Sequence, residues 1–162
     1  MTGKRNLPGS PDDVVIEPAT PDDRLDVLRI LDAAMLETDA DAVDDRIAAG
    51  DALVARSTRT GGVVGALVAV RPDSDRLHVD AVAVRRARRG RGIGSALVAA
   101  AVDRGESDSA VETVSATFDA DLRAFYEGLG FTIRPAGAAS DAADRSPDRL
   151  DGMLSVGGRE SP

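Results

Sequence analysis

The stretch Arg89-Gly90-Arg91-Gly92-Ile93-Gly94-Ser95 sets three glycines at alternate positions, directly after Val82-Ala83-Val84 and directly before a helical pattern of Ile93, Ala96, Leu97, Ala100 and Ala101. Glycine frees the backbone and removes the side chain that would hold a ligand away from the amides. A helix N-terminus behind such a turn offers unpaired N–H groups and the positive end of a dipole, which suits a phosphate. Spacing excludes two common phosphate loops. A P-loop needs Gly-Lys followed by Ser or Thr, and the only lysine is Lys4. A dinucleotide fingerprint needs Gly-x-Gly-x-x-Gly, and Gly94 comes one position too early. What remains is Arg-x-x-Gly-x-Gly, carried by Arg89, Gly92 and Gly94.

A second group of residues with chemical potential lies further on, in Ala124-Phe125-Tyr126-Glu127-Gly128-Leu129-Gly130-Phe131. The two strings, in this order and at this separation, resemble the acetyl-CoA loop and the late helix of the GNAT superfamily of N-acetyltransferases, over roughly Val14 to Phe131. The resemblance implies a single-domain α/β acyl-CoA N-acyltransferase fold, a mixed, mostly antiparallel sheet flanked by helices. It implies acetyl-CoA as cosubstrate, its pyrophosphate cradled by the amides of Arg89, Gly90, Arg91, Gly92, Ile93, Gly94 and Ser95. The pantetheine arm would pair with the backbone of Val82, Ala83 and Val84 like an added strand, and one N–H, that of Val84, would polarise the thioester carbonyl.

Tyr126 is the candidate general acid, because a phenol of pKa ~10 stays protonated at pH 7 and can donate to a departing thiolate. His78 is the candidate base: it stands six residues before Val84, where relatives with a base on this strand carry glutamate. Asp80 is a second candidate. Period-two alternation predicts His78, Asp80, Val82 and Val84 on one face of the strand. Relatives often place asparagine seven residues before the tyrosine, against CoA or substrate; here Asp119 brings an anion to that contact. With no cysteine for an acyl-enzyme, direct attack by a small-molecule or peptide amine in a ternary complex is expected. Family members are often dimers, so a homodimer is a further expectation.

Two other functions stay open. One is an acetyl-CoA-binding regulator without efficient catalysis. The other starts from Arg85, Arg86, Arg88, Arg89 and Arg91, five cations in seven residues that suit a nucleic-acid backbone. Against it stands a net charge of -8, so no nucleic-acid partner is expected.

The elements that must position these residues are legible in the pattern. Residues 1–13 read as a disordered tail, 14–156 as the transferase domain with a loop over 135–149, and 157–162 as a second tail. Val14 opens a strand; Thr20-Pro21-Asp22-Asp23 starts a helix predicted to run to about Leu36. A shorter helix is predicted from Ala40 to Ala49, where Asp39, Asp41, Asp44 and Asp45 form either a solvated face or an attraction for a cationic amine. Strands follow over Ala52–Ser57, Val63–Val70 and Arg76–Val84, the last two joined by a turn at Pro72-Asp75. The helix from Gly92 is predicted to stop near Gly105, followed by a strand over Val111–Thr117, a helix over Leu122–Leu129, a strand over Phe131–Arg134 and a last strand over Met153–Val156.

Composition narrows the setting. No run of apolar residues is long enough for a membrane span and no hydrophobic signal core begins the chain, so no membrane partner and a cytoplasmic location are expected. Without cysteine and with one histidine, no metal site is expected. Twenty-two Asp against six Glu, and nineteen Arg against one Lys, resemble the acidic proteins of salt-rich, halophilic cytoplasm; GC-rich codon usage is the alternative source of the bias.

Overall fold

The computed structural model describes residues 13–33, 39–90, 92–135 and 149–156. Of the tail expected over 1–13 all but Asp13, the tail expected over 157–162, the helix extension to Leu36, Arg91, and residues 136–148 of the loop expected over 135–149 lie outside the described residues; Asp13 accepts from the Thr58 N–H, and Pro135 and Arg149 belong to strands. The chain packs as two compact units, one formed by the residues up to Val70 with Asp80–Ala101, the other by Arg71–Val79 with the residues from Val102 onward.

In the first unit, β1 (Val14–Pro18) leads to a 3-10 turn at Pro21–Asp23 and then α1 (Arg24–Ala33). Proline at the first position and acids in the first turn are the cause of the start. The Asp23 carboxylate folds back on it, accepting from the Thr20 N–H at 3.0 Å and the Thr20 hydroxyl at 3.2 Å. Val27, Ile30 and Leu31 recur at helical spacing and are buried; in α2 (Ala40–Ala49) Val43 and Ile47 do the same. These two helices cover one face of β2 (Ala52–Ser57), β3 (Val63–Asp73) and β4 (Arg76–Val84), through Ala52, Val54, Val63, Ala66, Val68, Ala81 and Ala83. The start of α3 (Ile93–Ser107) lies on the opposite face. A Cβ on Gly65 would stand 3.1 Å from Ile93 Cγ2 and 3.2 Å from Leu97 Cδ1, so the missing side chain is what lets this helix sit so low.

In the second unit, β5 (Thr113–Asp119) runs parallel to β4, from Arg76↔Thr113 to Val79↔Ala116. β7 (Arg149–Ser155) pairs antiparallel with β5, and β6 (Thr132–Pro135) antiparallel with β7. Seven strands thus follow the order β1-β2-β3-β4-β5-β7-β6, a mixed and mostly antiparallel sheet. Alternation divides the second unit's strands into an apolar face of Leu77, Val79, Val114, Ala116, Phe118 and Ile133 and a polar face carrying His78, Ser115 and Thr117. The apolar face meets the end of α3 and α4 (Arg123–Gly128).

Several boundaries differ from the sequence-based expectation. Gly105 does not stop α3, which continues to Ser107; a Cβ there would lie 2.7 Å from Val114 Cγ2, so glycine serves close packing on β5. The β3–β4 turn is confined to Ser74 and Asp75, and Pro72 lies within β3. Its missing N–H costs nothing on the β2 side, because the β2–β3 ladder ends at Ala52↔Val68. The strand expected at Val111 begins at Thr113, and the last strand starts at Arg149 rather than Met153. No described helix is long and apolar enough to cross a membrane.

Candidate functional site

The glycine-rich turn takes the shape a phosphate cradle requires. After β4, a 3-10 turn over Arg86–Arg88 is followed by Gly90 and Gly92, both at positive φ (80° and 86°), and α3 begins at Ile93. The first bond of the helix runs from the Ala96 N–H to the Gly92 carbonyl at 3.0 Å, which leaves the amides just before Ala96 at the open end of the helix. Gly94 has room around it: an added Cβ would find only Val84 Cγ2, at 3.9 Å. Folding therefore does not demand glycine at 94.

The arginines brace the same turn. Arg85 donates from Nε to the Val63 carbonyl at 2.8 Å, and Arg89 from Nε to the Val84 carbonyl at 3.1 Å. The Arg85 N–H bonds the Val64 carbonyl, so by strand alternation the Val84 N–H points to the other edge of β4, away from β3. Beside the turn lies a cavity of about 320 Å³ lined by Arg29 and Ile30 of α1 together with Val84, Arg85, Arg86 and Arg89. Four arginines thus line one hollow in a chain of net charge -8.

Tyr126 sits in α4 at the centre of all the chain's other aromatic rings. It stacks on Phe118 (centroids 3.9 Å apart, 16° between planes) and meets Phe125 and Phe131 edge-on at 4.8 and 5.3 Å. Burial pushes its phenol up to about 12. Because Phe118, Tyr126 and Phe131 are buried, they supply no stacking surface for bases.

His78 lies on the polar face of the second unit, its Nδ1 2.8 Å from the Ser115 hydroxyl oxygen. A cavity of about 330 Å³ opens there, bounded by Arg76, His78, Ser115, Thr117, Arg134 and Asp151. Asp80 is exposed on the other unit's stretch of β4. Burial alternates along β4: Leu77, Val79, Ala81 and Ala83 are buried, while His78, Asp80, Val82 and Val84 are more exposed. Asp119 ends β5 opposite Arg149; its side chain lies outside the described residues. Asp44, expected on a solvated face or beside an amine, holds Arg24 Nε at 2.5 Å.

Sequence reasoning missed Ser115, Arg76, Arg134 and Arg29. Each joins its cavity through cross-strand or helix-to-loop proximity, for which one sequence carries no local signal. Parity along β5 and β7 marks which residues share a face, but not which strand lies beside which.

The acetyltransferase (GNAT) family model matches residues 24–131. No curated protein sequence matches the chain. Among solved structures, Ard1 from Thermoplasma volcanium is similar at 21% identity and a TM-score of 0.71, covering 89% of this chain and 98% of that one. A phosphinothricin acetyltransferase from Sinorhizobium meliloti, solved with AcCoA, is similar at 18% identity and a TM-score of 0.72, covering 93% of each. The ribosomal-protein-S18-alanine N-acetyltransferase from Escherichia coli reaches 18% identity and a TM-score of 0.67, over 91% of this chain and 97% of that one.

Proposed function

Because the chain belongs to the GNAT family of acetyltransferases, whose donor is acetyl-CoA, we propose that it transfers acetyl to a primary amine by direct attack in a ternary complex. The observation that carries the cofactor's place is the turn itself: Gly90 and Gly92 at positive φ, a spacious Gly94, and the N-terminus of α3. The amides of Arg89 to Ser95 bind the pyrophosphate, and the hollow of Arg29, Arg85, Arg86 and Arg89 draws the cofactor's remaining negative charge. The edge of Val82–Val84 turned from β3 pairs with the pantetheine arm, and the Val84 N–H polarises the thioester carbonyl.

In the step itself, the neutral amine nitrogen forms a bond to the carbonyl carbon and the carbon–sulfur bond breaks. The sulfur leaves as thiolate, met by the Tyr126 hydroxyl, and takes its proton from solvent. The extra proton on nitrogen passes to His78, directly or through water. For this His78 must accept at Nε2, which requires the tautomer whose Nδ1–H donates to Ser115 Oγ; Ser115 is thus a positioning residue. A phenol raised to about 12 is a weaker acid than the thiol it would serve, so Tyr126 acts chiefly by a hydrogen bond to the forming thiolate.

Calorimetric titration with acetyl-CoA tests the reading. Wild type is expected to bind saturably, and Gly94→Glu to stay folded with binding lost. A Gly94→Glu variant that binds like wild type would remove the pyrophosphate from this turn.

A further inference from the structure

The cavity on the polar face of the second unit has a charge pattern that the acetyl-transfer reading does not require. Arg76 from β4 and Arg134 from β6 both line it, with His78, Ser115 and Thr117 between them. The register explains how the strands build it. His78 pairs with Ser115, Ser115 with Met153, and Thr117 with Asp151, which in turn pairs with Arg134. These residues therefore form two neighbouring cross-strand rows on one face.

The two arginines are poorly matched with anions of their own. Arg76 Nε is buried and has no hydrogen-bond partner among the described residues. Its Nη2 reaches Asp73 at only 3.7 Å, and that carboxylate is 66% exposed. Arg134 makes a contact from Nη2 to the thioether of Met153 at 3.3 Å and no ion pair among the described residues. The one carboxylate lining the cavity among the described residues, Asp151, accepts from the Thr117 hydroxyl at 2.9 Å. A buried guanidinium donor without an acceptor costs free energy unless a ligand supplies one, and a planar fork of donors fits a carboxylate or phosphate.

We propose that this cavity selects an amine acceptor carrying its own anionic group, a carboxylate or phosphate held by Arg76 and Arg134 while the amine lies toward His78 and Asp151. The proposal rests on His78 facing the acceptor in the reading above. Asp151 favours the ammonium form as it arrives; water takes that first proton, which leaves the neutral His78 to accept the one released on attack. The cavity volume of about 330 Å³ accommodates a small amino acid rather than a folded protein surface.

His78 is the only histidine in the chain, so its ring proton signals report on the cavity without assignment. The test titrates wild-type protein with glycine, β-alanine, 4-aminobutyrate and O-phosphoethanolamine, each beside a neutral partner: the three amides and ethanolamine. Ring signals are followed by NMR, and CoA release is followed with acetyl-CoA present. At least one anionic amine is expected to shift the His78 signals saturably, at least tenfold more tightly than its neutral partner. Arg134→Gln is expected to erase that difference by raising KM for the anionic amines. The carboxylate and phosphate arms identify the anion.

Equal shifts by the neutral amines, or no shift with any anionic one, overturn the proposal. Equal loss for both classes in Arg134→Gln also overturns it. Acetyl transfer fails separately: saturable, anion-dependent shifts without CoA release would leave the anion site standing and remove catalysis. CoA release with charge-blind acceptors would do the reverse.

Discussion

His78 and Tyr126 stand on opposite faces of the same strands. His78 bonds Ser115, on the polar face of β5, while Tyr126 stacks at 3.9 Å on Phe118, which alternation sends to the apolar face. Under the proposed mechanism the two would serve one thioester from its two sides, the amine entering by the polar face and the thiolate leaving toward the aromatic one.

Replacing Tyr126 with Phe keeps the ring contacts and removes only the hydroxyl. Turnover in single-turnover kinetics is expected to fall about ten- to a thousandfold, the usual range for an acid contribution. Stability carries a second signature. The phenol's pKa is raised in the folded state, from 10.0 to about 12, so its contribution is complete below pH ~10 and is lost as pH rises toward 12. Denaturant melts of wild type should weaken over that window by about 2–3 kcal/mol, and those of Tyr126→Phe by clearly less. An unchanged rate in the variant would take Tyr126 out of the mechanism.

Gly94 separates folding from binding. Its position in the first turn of α3 is open and not at positive φ, so Gly94→Ala is expected to stabilise the chain by about 0.5 kcal/mol. The same methyl narrows the approach to the amides and should raise the Kd for acetyl-CoA several-fold. Thermal melts and calorimetry on one preparation check both. A variant that is less stable would mean the glycine serves the fold instead.

Legibility in the sequence followed the range of the interaction involved. α2 and its stop at Gly50, β2, and the whole of β4 appear where predicted, because hydrophobic period and local punctuation are properties of neighbouring residues. Gly105 and Pro72 look like local punctuation but lie inside α3 and β3. Gly105 is required by Val114 on a strand that comes later, and Pro72 is tolerated because β2 is too short to reach it. The glycine-rich turn was legible because it is one contiguous strand–turn–helix. The polar cavity was not, since Arg76, Ser115, Asp151 and Arg134 come from four strands whose order, with β7 between β5 and β6, no local pattern encodes.

Arg56 ties the first strands to the start of α1. Its Nε donates to Glu17 at 2.7 Å, and its Nη2 to both oxygens of Asp23 at 2.9 and 3.0 Å. Burial tends to raise the Asp23 carboxyl, but hydrogen bonds from the Thr20 N–H and from Arg56 outweigh it and hold the group below its ordinary value. A depressed carboxylate contributes stability that is present above the unfolded pKa of ~3.9 and is lost as pH falls through the folded value. Wild type should therefore weaken in acid below about pH 4 more steeply than Asp23→Asn. Arg56→Leu leaves Asp23 (7% exposed) without its cation and should cost about 1–3 kcal/mol, less than a fully buried pair because Arg56 is 29% exposed. Chemical denaturation of the three proteins from pH 7 downward checks both; parallel curves would deny Asp23 this role.

Salt tests what the aspartates are for. With a net charge of -8, the folded chain carries a self-repulsion that the unfolded chain relieves by expanding. Molar KCl shortens the screening length to about 3 Å, which removes that repulsion. It also weakens exposed pairs such as Arg123–Glu127 (56% and 50% exposed), but each of these is worth only about 0–1 kcal/mol. Repulsion is summed over many carboxylates and the pairs over few, so the melting temperature is expected to rise steadily from dilute buffer to molar KCl. A chain shaped by salt needs those ions to reach full stability. If melting is flat or falls across the same range, the excess of Asp over Glu and of Arg over Lys reflects codon usage, and the acidic surface has no adaptive part in the fold.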